Sequence, residues 1–403
     1  MLLEKQVPAT APLLRGRDIV CLSHDWTGDP LSRTHVMRLL ARHNRVLWVN
    51  SLGYRAPTVS KADISRALRK LLAAATPLRE PEPNIFVLNP LIIPAHGRPW
   101  VRAFNQRFLA FQIRRALGRL RFRRPINWTS NPVAAVVAGK LGEEIVVYHC
   151  VDENTAFAGV AASVLGDLER QLIGRADVVF VASEALYNAK RPHNPRTFLV
   201  RHGVDFQHFR NALAQETIVP AEIAGLPRPI IGYFGLMTPE WVDTRLLARI
   251  AERFANGSLV LLGKVKMDLG SIAKLPNVHI LGRQPYETLP AYCKGFDAGI
   301  IPFPINDLTL HSNPLKAREY LAAGLPVVST AIPEVNALDQ CRVAHDHDEF
   351  LRELELALVD HTSRDERSAR LSSESWAGRL AQMDEIIGSL CGGNFAASPS
   401  RES

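Results

Sequence analysis

The sequence lacks the cysteine patterns of a disulfide-linked or zinc-binding protein. Its five cysteines are odd in number, and no two of them form a CxxC pair. Secreted disulfide frameworks use even numbers of patterned cysteines, and structural zinc sites use paired ligands. This composition favours a reducing, cytoplasmic setting.

Long apolar runs are missing as well. No stretch of about 18 consecutive apolar residues occurs, and the N-terminus has no continuous hydrophobic segment of the signal-peptide kind. A chain of 403 residues is long for one domain and comfortable for two. We therefore expect two domains, no membrane span and no export signal.

Acidic residues are scarce in the first half of the chain. Residues 1–205 hold 29 Lys and Arg against 16 Asp and Glu, a net +13, whereas residues 206–403 hold 19 against 24, a net −5. The excess is densest at 61–124, with 14 basic and 3 acidic residues. One domain is therefore predicted to face an anionic partner, with nucleic acid and anionic lipid as the two classes.

Short β-rich runs alternate with helical periodicity in both halves, which predicts βαβ units and parallel sheets. The expected fold class is α/β, with two Rossmann-like doubly wound domains facing a cleft. The predicted strands lie at 17–23, 45–50, 84–89, 144–151, 177–183, 197–203, 229–235, 258–263, 277–282, 296–303 and 325–330.

The alternation breaks once, in a proline-containing stretch without a strong period. We expect this stretch, 211–229, to link an N-terminal domain at 1–210 to a C-terminal domain at 230–371. A helix at 372–392 is expected to cross back and pack towards the N-terminal domain. The Gly- and Ser-rich tail at 393–403 is expected to be disordered.

The stretch HSNPLKAREYLAAGLPVVST, at 311–330, predicts a helix with a defined start and end. Asn313 is the expected cap, Pro314 suits the first helical position, and Gly324 suits the left-handed end. Lys316 falls in the first turn, where a cation and the helix N-terminus together predict an anion site. The helix follows a strand, so this site should line the cleft beyond the carboxyl ends of the strands.

Glu319 lies three residues after Lys316, on the same helical face. The pair would suit a ligand with phosphate at one end and vicinal hydroxyls at the other, as in a nucleoside diphosphate. A solvated surface ion pair explains two such residues equally well. A nearby Gly-x-x-Gly, Gly232 to Gly235, ends a predicted strand ahead of a helix at 238–254 capped by Thr238, and would let backbone N–H groups approach a phosphate.

These stretches resemble the donor-binding half of GT-B glycosyltransferases, which use nucleotide-sugars. The similarity runs from about Gly232 to Thr330, and 183–205 is similar to the segment these enzymes place before the linker. The resemblance implies a donor of the UDP-sugar type, with Lys316 at the diphosphate and Glu319 at the ribose. The chain differs from many retaining members, which carry a second Glu where this chain has His311. The implied donor-site residues are Gly232, Gly235, Gly282, His311, Asn313, Pro314, Leu315, Lys316 and Glu319.

The N-terminal stretches 22–41 and 146–157 are similar to xanthan-type exopolysaccharide glucuronosyltransferases, which are inverting. That resemblance implies that Asp152 is the catalytic base. Asp152 also follows a predicted strand at its carboxyl end, and an inverting transfer needs one carboxylate to take the acceptor proton. Glu153 could do this instead, and Asp152 could equally cap the following helix.

His24 and Asp25 occupy the loop after the first strand, where they could position the acceptor or share in proton transfer. The alternative is a turn-forming Asp beside a hydrogen-bonded His. Ser32 is expected to cap the helix that carries His35. No metal or other cofactor is expected, and Lys316 with helix dipoles should stabilise the leaving diphosphate.

A basic helix with aromatic residues is predicted at 100–124, which carries eight arginines. Such a helix can lie in a bilayer interface, although an ordinary helix that packs its aromatics on the core is as common. We expect the arginines to meet the acceptor or an anionic membrane surface. The ones singled out are Arg114, Arg115, Arg123 and Arg124.

The sequence thus predicts a glycosyltransferase that moves a sugar from a nucleotide-sugar to a glycan or polyprenyl-linked acceptor in envelope or exopolysaccharide synthesis. Its expected location is cytoplasmic, peripheral at the inner face of the cell membrane. One alternative is a nucleotide-sugar 2-epimerase of the same fold. The other is a nucleic-acid-binding protein that uses the basic face, but no nucleic-acid-binding motif is present, so no nucleic-acid partner is expected.

Overall fold

The computed structural model describes residues 14–51, 78–91, 93, 98–156 and 162–391. The tail predicted at 393–403 lies outside these residues, as does most of the basic stretch before residue 78. Within them the chain forms two separate sheets, one built from residues 18–199 and the other from residues 230–344.

The first sheet has eight strands in the order β3-β4-β2-β1-β5-β6-β7-β8. Every neighbouring pair is parallel except β3 and β4. Its strands are β1 (Asp18–Leu22), β2 (Arg45–Val49), β3 (Arg79–Glu82), β4 (Ile85–Leu88), β5 (Ile126–Thr129), β6 (Ile145–Cys150), β7 (Val178–Val181) and β8 (Thr197–Leu199).

The second sheet has six parallel strands in the order β11-β10-β9-β12-β13-β14. Its strands are β9 (Ile230–Phe234), β10 (Ser258–Leu262), β11 (Val278–Gly282), β12 (Ala298–Ile301), β13 (Val327–Thr330) and β14 (Cys341–Ala344).

Helices connect the strands of both sheets, as parallel strand pairs require. Those of the described residues are α1 (Ser32–Ala41), α2 (Pro99–Leu120), α3 (Ala162–Arg175), α4 (Glu184–Lys190), α5 (Phe206–Arg210), α6 (Ala221–Ala224), α7 (Thr244–Arg253), α8 (Leu289–Gly295), α9 (Asp307–Leu310), α10 (Leu315–Ala322), α11 (Pro333–Asn336), α12 (His347–Leu358), α13 (Arg364–Ala369) and α14 (Trp376–Cys391).

Apolar side chains cover both faces of the first sheet. Ile113 and Leu117 of α2 belong to the core on one face, and Met37 of α1 belongs to the core on the other, together with Met383 and Ile387 of α14. The last helix of the chain therefore packs against the N-terminal sheet. The predicted α/β class with two doubly wound, Rossmann-like domains is confirmed.

Three strands escaped the sequence patterns: β3, β5 and β14. The central strand β5 is four residues long and carries two polar side chains that each donate a hydrogen bond within the fold, while Asn127 Oδ1 has no partner among the described residues. Thr129 Oγ1 donates to the carbonyl of Leu22 at 3.2 Å, and Asn127 Nδ2 donates to Glu143 at 3.0 Å. Four residues are too few for a clear alternation, and the buried polar residues interrupt the apolar run that is typical of a central parallel strand.

Three predicted helix starts were wrong. Helix α7 begins at Thr244, because Asp243 Oδ1 accepts from the backbone N–H of Leu246 at 3.0 Å, and Thr238 instead opens a turn. Helix α1 begins at Ser32 itself, after Leu31 in the cap position. Helix α10 begins at Leu315, after Pro314, so Asn313 lies one residue before the cap.

The chain passes between the domains twice, and the two crossings touch. The N–H of Val204 donates to the carbonyl of Glu374 at 2.9 Å, and the N–H of Trp376 donates to the carbonyl of Val204 at 3.2 Å. A Cβ on Gly203 would lie 2.7 Å from the Trp376 nitrogen, so only glycine allows this approach. The helices that the structure describes include none long and apolar enough to cross a bilayer.

Candidate active site

Lys316 lies over the turn that follows β9, at the carboxyl edge of the second sheet. It is the second residue of α10, and its Nζ sits 5.7 Å from the ring centre of Tyr233 and 5.5 Å from that of Phe303. A Cβ on Gly235 would come within 2.8 Å of this Nζ, and Gly235 has φ +144°, where side chains are strained. Burial lowers the pKa of Lys316, and Glu319 opposes that shift. The amino group therefore lies beside the Gly235 turn, and its contact with a phosphate stays a prediction.

Glu319 shares this region, and its protonation is finely balanced. Burial raises its pKa to about 7, against the attraction of Lys316, and nearby Asp205 pushes in the same direction as burial. The hydroxyl of Tyr286, whose pKa Glu319 helps to raise, is buried and has no hydrogen-bond partner among the described residues. A carboxyl group and an unsatisfied phenol together offer hydrogen-bonding capacity to a polar ligand. The sequence patterns did not single out Tyr286.

The two predicted phosphate-turn glycines have different roles. Gly232 lies inside β9, and a Cβ there would lie 2.1 Å from the ring of Phe296, so it is a packing glycine rather than part of the turn. Gly235 does form the turn, where its N–H donates to the carbonyl of Leu262 at 2.8 Å. Gly282 ends β11 with φ +68°, and its carbonyl accepts from the N–H of Gly263 at 2.6 Å.

The segment before α10 is tied to the N-terminal domain instead of capping its own helix. Asn313 Nδ2 donates to the carbonyl of Ala182 at 2.7 Å, and Asn313 Oδ1 accepts from Arg318 at 2.7 Å. The hydroxyl of Ser183 donates to the carbonyl of His311 at 2.7 Å. The expected capping role of Asn313 is therefore wrong, because a partner 131 residues away holds its amide. The His311 imidazole contacts the carbonyl of Asp307 through Nδ1 at 2.6 Å.

Asp152 follows β6 at the carboxyl edge of the first sheet. Its Oδ2 accepts from Arg33 Nη2 at 3.1 Å, which joins the loop after β6 to the first turn of α1. Burial raises the pKa of Asp152, and the positive charge of Arg33 opposes this. The observed partner is Arg33, so the carboxylate pairs with a cation and does not cap a helix.

Glu153, the neighbouring candidate, is held by other side chains. Its two oxygens accept from Lys190 Nζ at 2.8 Å and from the hydroxyl of Thr155 at 2.5 Å. Burial alone would raise the pKa of Glu153, but Lys190 and Thr155 outweigh it and lower the pKa. Lys190 also contacts Glu169 at 2.8 Å, so it bridges two carboxylates. A carboxylate held this way is a weaker base than Asp152.

His24 and Asp25 are neighbours in the loop after β1. His24 lies between the hydroxyls of Ser23 and Thr34, 3.1 and 3.4 Å away, and burial, with help from Arg33, lowers its pKa to about 3. It is therefore neutral near pH 7. Asp25 is exposed and accepts from the N–H of Ser51 at 3.0 Å.

The two edges face one another and are joined at the rim. Arg283, next to Gly282, makes a two-pronged contact with Asp29 in the loop after β1, with distances of 2.7 and 3.2 Å. Together with the contact of Ser183 to His311, this pair brings the loops after the strands of one sheet against those of the other. A ligand between them would touch both domains.

Within the residues that the structure describes, no group of three or more His, Cys, Asp or Glu side chains is placed to hold a metal ion. The expectation of metal-independent chemistry stays a prediction. The charged side chains that the described residues bring to the two edges include Lys316, Glu319, Asp152 and Arg33.

Comparison with known proteins gives this geometry a family context. Residues 228–360 match the model of the family "Glycosyl transferases group 1". A curated relative, "Putative teichuronic acid biosynthesis glycosyltransferase TuaH" of Bacillus subtilis, is 23% identical over 230 residues. That alignment covers 53% of this chain and 57% of the relative, so the match spans little more than half of either protein.

Solved structures extend the likeness of fold to nearly the whole chain. Sucrose-phosphate synthase from Thermosynechococcus elongatus has a TM-score of 0.68 at 17% identity, covering 94% of this chain and all of that one (100%). Anabaena HepE, solved in complex with UDP, has a TM-score of 0.61 at 14% identity and covers 93% and 100%. The chain thus has the GT-B fold and carries, at residues 228–360, a domain of the glycosyl transferases group 1 family, as its resemblance to these enzymes implied.

Proposed function

We propose that this protein is a glycosyltransferase that moves a sugar from a UDP-sugar to a glycan or lipid-linked acceptor, in the synthesis of an envelope or exported polysaccharide. The group 1 domain supports the reaction class, and the UDP held by the HepE structure supports the donor nucleotide. The observation that carries the proposal is the position of Lys316 beside the Gly235 turn, at the carboxyl edge of the second sheet.

Lys316 is the residue best placed to stabilise the leaving diphosphate. Its ammonium group stands at the N-terminal turn of α10, where the helix dipole also favours negative charge. Glu319, one turn on, would accept hydrogen bonds from ribose hydroxyls once it is ionised. A donor bound this way would present its anomeric carbon to the N-terminal edge.

Asp152 is the proposed general base. The acceptor hydroxyl would give its proton to the Asp152 carboxylate while its oxygen attacks the anomeric carbon, and the bond from that carbon to the diphosphate would break. Arg33 holds one carboxylate oxygen at 3.1 Å, so the other is left to face the acceptor. Burial raises the pKa of Asp152, and the positive charge of Arg33 opposes that shift by favouring the ionised form.

Helix α2 supports an acceptor at a membrane surface. Trp100, Phe104 and Phe111 are 62%, 49% and 59% exposed, and Phe108 stacks on Phe104 with ring centres 5.6 Å apart. Leu117, predicted for the same face, is buried in the core instead. Exposed aromatic rings interleaved with arginines suit the headgroup region of an anionic bilayer, so we propose peripheral binding at its cytoplasmic face.

The proposal is tested by titrating the purified protein with UDP, GDP and their sugars in a calorimeter, followed by product analysis. Binding of UDP and transfer only when acceptor is present would support it. Release or rearrangement of the sugar without acceptor would favour the 2-epimerase alternative. Failure of every nucleotide to bind would contradict the donor site.

A further inference from the structure

A second cavity, of about 330 Å³, lies behind α10 on the side away from Lys316. Residues two apart on a helix point in nearly opposite directions, so Arg318 faces this cavity while Lys316 faces the cleft. The other walls come from Arg201 after β8, from Glu374, and from α14. Both domains therefore contribute to it.

Guanidinium groups dominate its polar lining. Arg318, only 1% exposed, and Arg379 both donate to the single carboxylate of Glu374, the former at 3.2 Å. The Nε of Arg379 is buried and has no hydrogen-bond partner in the described part of the chain. Arg201 is paired with Glu334 at 2.8 Å, outside the lining. The lining thus holds three guanidinium groups and one carboxylate, Glu374, while Arg201 is also paired with Glu334 and Glu184 from outside the lining, and one buried donor, Arg379 Nε, has no acceptor among the described residues.

We propose that this cavity binds a phosphate monoester of a sugar, at a site separate from the cleft. Guanidinium groups suit phosphate because they present several N–H donors in a plane. The volume lies at the lower end of the range for small-molecule sites, about 300–1,000 Å³, and exceeds what a bare phosphate would fill. The hydroxyls of the sugar would meet Glu374 and the side chain of Gln382, which also lines the space.

The position of the cavity connects it to the donor helix. Arg318 donates to Asn313 Oδ1 at 2.7 Å, and the amide of Asn313 holds the carbonyl of Ala182 in the other domain. An anion that accepted hydrogen bonds from Arg318 and Arg201 would contact both domains. Its occupancy is therefore expected to change the affinity for UDP, and UDP to change its affinity equally. Only this coupling rests on the proposed function; the binding does not.

Calorimetric titration with glucose 6-phosphate tests the binding, and glucose is the uncharged control ligand. We expect saturable binding of glucose 6-phosphate and none of glucose. Arg379→Gln should weaken the binding roughly 10- to 100-fold, because hydrogen bonds to charged groups are among the strongest. Arg370→Gln, which removes the same charge from an exposed position outside the cavity, should not weaken it. Inorganic phosphate binding as tightly as glucose 6-phosphate would overturn the sugar part of the proposal.

Two further variants distinguish binding in this cavity from the effects of misfolding and from binding in the cleft. Gln382→Trp fills the mouth of the cavity without changing charge, and should abolish glucose 6-phosphate binding while UDP still binds. Lys316→Ala should lose UDP affinity and keep glucose 6-phosphate affinity. The proposal fails if the native protein does not bind glucose 6-phosphate, or if Lys316→Ala, rather than Gln382→Trp, removes the binding.

Discussion

The two edges that face the cleft are built in different ways. At the N-terminal edge, Asp152 and Glu153 each face a cation, Arg33 or Lys190, and the balance of burial and charge sets their pKa values in opposite directions. At the C-terminal edge the chain offers a backbone turn at Gly235 and the lysine above it. Under the proposed function, this difference corresponds to a division of roles, with proton transfer at one edge and anion binding at the other.

The two halves of the chain also differ in net charge. The first half of the chain carries +13 and the second half −5, and the exposed aromatic residues of α2 lie on the basic half. If the division holds, a change in one domain should spare the function of the other. The predictions below test that separation.

The largest effect is expected from Asp152→Asn. Loss of a general base should lower the transfer rate roughly 100- to 10,000-fold, while UDP binding stays unchanged. Glu153→Gln is the matched control, since it removes the adjacent carboxylate. It should lower the melting temperature, because Lys190 loses one of two partners, and leave turnover of the folded enzyme largely intact. The reverse pattern would move the base to Glu153.

Replacing Arg114, Arg115, Arg123 and Arg124 with Gln should weaken binding to phosphatidylglycerol vesicles. Each arginine close to an anionic surface contributes about 1 kcal/mol at most, and the effect should fade at high salt. Arg114 and Arg124 also contact Lys140 and Glu144, so their shares should be smaller. Calorimetry with UDP should show no change. Native protein that stays in the supernatant at low salt would contradict the membrane proposal.

Lys316→Met should weaken UDP binding by roughly 10- to 100-fold, as expected for loss of one charged hydrogen bond. Methionine keeps the apolar stem that lies near Tyr233 and Phe303, so the fold should persist, which circular dichroism would check. Association with vesicles should be unchanged. Equal UDP affinity in the native protein and in the Lys316→Met variant would remove Lys316 from the donor site.

The smallest effect concerns pH. Glu319 has a pKa of about 7 in the free protein, so its ionised form should become available as pH rises from about 6 to 8, and UDP should bind more tightly across that interval. The rise in UDP affinity should be at most about tenfold per pH unit, and Glu319→Gln should flatten it.

The stability of the free protein should instead fall as pH rises towards 7, because the folded state keeps a proton on Glu319 that the unfolded chain releases.

The sequence predicted the elements whose signals are local. Buried strands such as β9 and β10 are short, mainly apolar runs, and Lys316 with Glu319 could be placed because a helix and its flanking strands were recognisable. By contrast, the contacts that set the environment of the candidate site residues join distant parts of the chain. Arg33 reaches Asp152 from 119 positions away. No local pattern announces such a partner.

Local rules also gave wrong answers where tertiary packing competed with them. Asn313 before Pro314 has the pattern of a helix cap, yet its amide satisfies a carbonyl in the other domain. Gly232 has the spacing of a phosphate turn, yet the ring of Phe296 occupies the space its Cβ would need. In both cases the residue type was informative, but the reason for it lay in a distant part of the chain.

The pairing of Val204 with the segment at Trp376 means that the N-terminal domain is discontinuous in sequence. Its core takes Met383 and Ile387 from the far end of the chain, so a fragment cut at the linker would expose the groove that α14 fills. The two segments that cross between the domains therefore lie side by side and are joined by backbone hydrogen bonds. A sliding of one domain past the other would break these hydrogen bonds, whereas a rotation about the paired segments would not have to.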